Sequence, residues 1–138
     1  MDLLDTFNIA ASGLTAQRVR VQTISSNLAN ARTTRTADGG PYKRQAPVFR
    51  SQAATFGSVL DRTIAGVQVD RIAEIDDLRM VFDPRHPDAD AEGFVAMPDI
   101  DVIGEMVDLM SASRSYEAAL NAVDTTREMA MRALEIGR

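Results

Sequence analysis

The sequence predicts a mainly α fold with a small β module: two long terminal helices form an antiparallel coiled-coil-like hairpin, with a β-rich insertion between them. Three observations predict it. Apolar residues recur at heptad spacing in the first third of the chain, the same spacing returns in the last third, and turn formers and short alternating segments fill the middle. The implied division is an N-terminal assembly helix over 1–34, a β-rich module with loops over 35–98, and a C-terminal assembly helix over 99–138.

From Leu3 to Ala31 the apolar or small positions step alternately by four and three: Leu3, Phe7, Ala10, Leu14, then Val21, Ile24, Leu28 and Ala31, with Gln17 as the one break. A seam held for about four heptads points to packing on another helix rather than into a globular core. At a rise of about 1.5 Å per residue the element is some 40 Å long, more than a domain of 138 residues can wrap.

Punctuation then changes. Asp38-Gly39-Gly40-Pro41 is a strong turn signal that ends any helix. "PVFRS" and "GVQVDRIAEI" read as strands, the second alternating through Val67 and Val69, and "LRMVF" is a third, closed by Asp83-Pro84. "RHPDADAEG" is a loop dense in turn formers, and "FVAM" before Pro98 is a fourth short strand.

The last element runs from Asp101 to Ile136, with Asp101 as N-cap and Gly137 as stop. Its stripe passes through Val102, Met106, Leu109, Ser113, Tyr116, Leu120, Val123, Arg127, Ala130 and Leu134. Ile103, Val107 and Met110 form a second apolar line near its start, so this end can touch more than one neighbour. Charge favours an antiparallel hairpin. Asp99, Asp101, Glu105 and Asp108 would lie beside Arg32 and Arg35, while Asp2 and Asp5 would meet Arg132 and Arg138 at the far tip. Such exposed pairs, each worth under about 1 kcal/mol, select direction more than they stabilise. The second stripe has no partner within the chain, so self-assembly or a large partner is expected, with helices marginal in the free monomer.

Composition removes several function classes. With no cysteine there is no disulfide framework, thiolate metal site or cysteine nucleophile. A net charge of −5 disfavours an extended nucleic-acid surface, and Arg18, Arg20, Arg32 and Arg35 scatter around the helix rather than forming a patch. Aromatics are only 5%, so Ala and Met replace large anchors in packing. No apolar run approaches a membrane span, and "MDLLDTFNIA" carries acids where a secretory leader carries bases.

His86, Asp88, Asp90 and Glu92 have the residue types of a hard-cation site, but the spacing of a calcium loop is missing, and Asp side chains bonding their own backbone explain the segment as well. His86 has no Ser, Cys or second His in any catalytic motif. Gly39-Gly40 lacks the strand, helix and Gly-Lys-Ser/Thr ending of a phosphate cradle. Met106, Met110, Met129 and Met131 read as interface packing. "NLAN" admits two readings: Asn27 and Asn30 cap a helix end, or they fix register beside the seam.

"SGLTAQRVRVQTISSNLANARTT" resembles the N-terminal signature of the flagellar axial proteins. "YKRQAPVF", "GVQVDRI" and "FDPRHPDADAEGFVAMPDIDVIGEMVDLMSASRSYEAAL" are similar to the basal-body rod proteins within that family, those of the proximal rod. The likeness spans essentially the whole chain; Ala119 and Asp99 depart from positions where the family usually has Asn. It implies a structural subunit, with no reaction catalysed and no cofactor or small-molecule substrate. Such a subunit is exported unfolded through the flagellar type III apparatus, without a cleaved signal, to the periplasm-spanning rod of the basal body. There it assembles helically with copies of itself and other rod proteins, terminal helices lining a tube and the β module outside, to transmit torque from motor to hook. The alternatives are another rod or hook-type axial protein, or a helical export chaperone. The expected assembly interface takes Leu3, Phe7, Leu14, Val21, Ile24 and Leu28 from the first seam, and Met106, Leu109, Met110, Leu120, Val123 and Leu134 from the second helix. The matching motifs add Asn27, Asn30, Arg114 and Tyr116.

Overall fold

The computed structural model describes residues 3–52 and 66–136, with side chains from Thr6 onward and up to Glu135. Six elements follow in order: α1 (Leu3–Ala29), β1 (Arg44–Gln52), β2 (Gly66–Ile75), β3 (Leu78–Phe82), β4 (Phe94–Pro98) and α2 (Val102–Ile136). The chain is thus mainly helical, with two helices flanking a small β region. All four strands lie where the alternating segments placed them. The expected ion pairs of Asp2, Asp5 and Arg138, the stop at Gly137 and the side chain of Leu3 lie outside what is described.

α1 carries no proline, and three of its hydroxyls are satisfied locally. Ser12, Thr15 and Thr23 donate to the carbonyls of Ile9, Ala11 and Val19, so they cost the helix little. Its end is closed by Asn30, whose backbone and side-chain amides both donate to the Ser26 carbonyl at 3.0 Å. The Asp38-to-Pro41 turn then reverses the chain: Gly39 and Gly40 take φ of 86° and 80°, which only glycine adopts readily, and Thr36 N donates to Gly40 O. Tyr42 N donates to Thr33 O, bringing β1 back onto α1.

β1 and β2 form one antiparallel two-stranded sheet, in register from Arg44 opposite Ile75 to Gln52 opposite Gly66, with a bulge between Val48 and Phe49 that leaves Asp70 unopposed. Both strands are edges, so Pro47 removes no required ladder bond. The pair lies along α1: Asn27 meets Gln45, and Val67 N donates to Ser12 Oγ near the other end. β3 and β4 form a second antiparallel pair, Leu78 opposite Pro98 and Phe82 opposite Phe94, whose rings meet edge to face at 5.3 Å. Val95 is fully buried.

α1 and α2 pack together antiparallel, Asn27 beside Glu105 and Arg20 beside Asp108, and α1 also packs on β1 and β2. α1 is therefore covered on two sides. Its exposed residues form one line, Asn8, Ala11, Thr15, Arg18, Gln22, Ser25 and Ala29, spaced alternately by three and four. α2 is covered along one line only.

That line on α2 departs from the expected stripe. The covered positions are Glu105, Leu109, Ala112, Tyr116, Ala119, Val123, Thr126 and Ala130, flanked by half-buried Gly104 and Ser113. Leu109, Ser113, Tyr116, Val123 and Ala130 belong to the expected stripe; Met106, Leu120, Arg127 and Leu134 lie one residue to the side of the covered line and are exposed, as is Val102 at the helix start. Small Ala112 and Ala119 occupy the seam because they let the helices approach closely, which a Met or Leu there would prevent. Two ion pairs also differ from expectation. Glu105 pairs with Arg44 and Arg35 with Asp88, because each finds a closer partner in the β region than across the helix ends. The N-cap is as expected: Asp101 Oδ1 accepts from Ile103 N at 3.1 Å.

Candidate assembly interface

Where α1, β1 and the start of α2 meet, the chain buries a polar cluster. Asn27 is 1% exposed and uses its full hydrogen-bonding capacity. Its Oδ1 accepts from Gln45 N at 2.9 Å and from Tyr42 Oη at 3.0 Å. Its Nδ2 donates to Gln45 O at 2.8 Å and to Glu105 Oε2 at 3.2 Å. The amide thus pairs with the Gln45 backbone as a neighbouring strand would. Glu105 is buried, and its other oxygen accepts from Arg44 Nη2 at 2.6 Å and Nε at 2.8 Å. A charge removed from water is tolerated here because an opposite charge and a neutral donor both reach it. Ser26 Oγ and Tyr42 Oη complete the set at 3.2 Å.

The two Asn residues of "NLAN" therefore divide the two readings between them. Asn30 closes the helix end and accepts from Thr33 Oγ1, whereas Asn27 fixes the register of three elements. Arg44, Tyr42, Gln45 and the buried role of Glu105 were not singled out from the sequence. The one available signal was a polar residue beside an apolar seam, which says that a partner exists but not which.

The acidic loop between β3 and β4 is held by its own backbone. Asp83 Oδ1 accepts from Arg85 N, and Asp90 Oδ1 from Glu92 N and Phe94 N. Asp88 reaches outward to Thr34 Oγ1 at 2.8 Å and to the Arg35 guanidinium at 2.7 Å. His86 Nδ1 accepts from Asp88 N. Among the described residues no three His, Asp or Glu side chains converge as a cation site would require. Gly93, at φ 87°, closes the loop where an added Cβ would lie 3.0 Å from Phe82 Cε2.

The expected interface residues fall into two groups. Ile24 and Asn27 are buried, and Phe7, Leu14, Val21, Leu28, Asn30, Leu109, Tyr116 and Val123 half-buried, within the chain. Met106, Met110, Arg114, Leu120 and Leu134 are exposed. Among the described residues, beside Val67 and Ile72 of β2 and Met129, Met131 and Leu134 of distal α2, two apolar faces stand open to solvent. One is on the proximal part of α2, formed by Ile103, Met106, Val107 and Met110; the other is one side of the β3–β4 pair, with Leu78, Met80, Phe82 and Phe94. Open apolar faces of this extent mark contact with other macromolecules. Among the described residues no helix is long and apolar enough to cross a membrane.

Comparison with known proteins finds related chains. Residues 7–35 match the family described as Flagella basal body rod protein, and residues 91–136 match that described as Flagellar basal body rod FlgEFG protein C-terminal. The chain is similar to the flagellar basal-body rod protein FlgC of Bacillus subtilis, 44% identical over 100% of both chains. It is also similar to the FlgC proteins of Escherichia coli O6:H1, 42% identical over 100% of both, and of Aquifex aeolicus, 39% identical over 98% of this chain and 97% of the other.

Proposed function

The chain belongs to the family of flagellar basal-body rod proteins, FlgC type, and we propose that it assembles helically, through its two terminal helices, with copies of itself and with other rod proteins. Its role is that of a structural subunit of the proximal rod. The observation that carries the assembly reading is the one-sided cover of α2, which leaves Ile103, Met106, Val107 and Met110 facing solvent. Large side chains of this kind contribute about 1.5–3 kcal/mol each when buried, repeated at every subunit. A contact between two different faces extends helically when its rotation does not close into a ring, and a helical tube is the shape a torque-bearing shaft needs.

The route to the rod follows from the same physics. A chain whose long helices lack cover when alone passes unfolded through a narrow conduit at low cost, and gains order when neighbours arrive. We read this as export through the flagellar type III apparatus to the part of the basal body that spans the periplasm. On this reading the work is mechanical. Circular dichroism of the purified chain tests this. It should report less helix than the 27 and 35 residues of α1 and α2, rising on assembly. A lone chain that is fully helical, self-contained and resistant to protease at both ends rejects the reading and fits an export chaperone instead.

A further inference from the structure

We propose that the apolar patch at the start of α2 seats on the outer face of α1 of a neighbouring copy of this chain. This rests on the rod reading and names which faces meet. Ile103, Val107 and Met110 each lie two residues before a covered position of α2, Glu105, Leu109 and Ala112, and so about 200° around the helix from the α1 of the same chain. Their own α1 cannot reach them. They are 75%, 61% and 58% exposed, and with Met106 they form a patch of a few hundred Å², the size at which monomer surfaces carry partners.

Charge selects the occupant. Between residues 99 and 113 stand Asp99, Asp101, Glu105 and Asp108 and no Lys or Arg. Arg44 neutralises Glu105, but Asp99, Asp101 and Asp108 are exposed, and Asp108 has only Arg20 at 3.8 Å. α1 is the complement, since no acid occurs from residue 6 to residue 37. Its outer face presents Ala11, Thr15, Arg18, Gln22 and Ser25, and Arg18 has no ion pair among the described residues. Ala11, Thr15 and Ser25 are small and leave room for Ile and flexible Met side chains, with Arg18 against the acidic rim. The opposite side of α1 is covered by β1 and β2, so this line is the surface it has left to offer. Every copy carries both faces, and the contact propagates from copy to copy.

The chain has no cysteine, so crosslinks can be placed at will. Copies stacked about one axis keep their polarity, so the neighbour's α1 runs antiparallel to α2; Thr15→Cys is combined with Met110→Cys, and separately Gln22→Cys with Ile103→Cys, in cells whose rod depends on this chain. Oxidised basal bodies should yield a ladder of dimer and larger species from each double variant and monomer from each single one. Monomer alone from basal bodies that contain the variants overturns the proposal, as does a dimer from Met110→Cys alone or a product joined to a different rod component. Arg18→Glu supplies a test without cysteine. Its helicity should be unchanged and its incorporation about tenfold lower, since like charges then face each other; incorporation at the unsubstituted level overturns the proposal. Absence of the unsubstituted chain from purified basal bodies would instead overturn the rod reading itself.

Discussion

Replacing Asn27 tests whether the buried cluster fixes the joint between helices and sheet. Asn27→Ala removes the sole side-chain partner of both Gln45 N and Gln45 O and one partner of Glu105, while Tyr42 keeps Ser26. An unsatisfied buried group costs about 1–3 kcal/mol and a bond to a charged acceptor about 1.5–3, and entry of water into the vacated space recovers part, so a loss of about 3–5 kcal/mol is expected. Asn27→Asp keeps the shape and both acceptor bonds yet is expected to be worse. It places a second carboxylate about where Nδ2 now lies 3.2 Å from Glu105 Oε2. At an effective dielectric of about 20 that repulsion is about 5 kcal/mol before the Arg44 charge offsets part of it. Adding Glu105→Gln to Asn27→Asp restores one carboxylate beside Arg44 and one donor between the pair, so the double variant should recover part of the loss. Near-UV circular dichroism of Tyr42 in a Tyr116→Phe background, followed through urea unfolding, reads the joint directly. The expected order of stability is unsubstituted, then the double variant, then Ala, then Asp. If Asp matches or exceeds Ala, or the double variant is no better than Asp alone, the cluster does not work by these charges and bonds.

Leu14→Asp should abolish spreading in soft agar, because an unpaired carboxylate on the covered side of α1 is severely unfavourable; Leu120→Asp, at the flank of the α2 seam, should do so by blocking assembly. Spreading at the unsubstituted rate by either variant counts against the assembly role. His86→Ala should leave basal-body yield nearly unchanged, since it removes a single bond to Asp88 N in a loop held by Asp83 and Asp90; a loss of basal bodies on purification would assign the loop a further role. Gly93→Ala should cost about 1–2 kcal/mol through its left-handed backbone, visible as a lowered urea midpoint, with the contact to Phe82 adding to it.

The strands and the Asp38-to-Pro41 turn were legible because alternation and turn chemistry are local properties. The phase of the α2 seam was not. α2 carries two apolar lines, and periodicity alone does not say which one faces its own chain. Choosing the larger side chains picked Met106 and Leu134, whereas close approach selected Ala112 and Ala119. The partners of Asn27 were equally hidden, since Gln45 and Glu105 lie 18 and 78 residues away. Arg35 and Glu105 show the same limit for charge: complementary runs gave the direction of the hairpin, but each residue took the nearest partner the folded β region supplied.

Asn27 and Asn30 lie within the segment that matches the family, and both spend their amides inside their own molecule. A recognisable motif here describes a chassis, not a plug. What distinguishes one component of a stack from the next must then be inscribed on the outward sides of the helices, where a few substitutions can re-address a part without disturbing the frame that carries it.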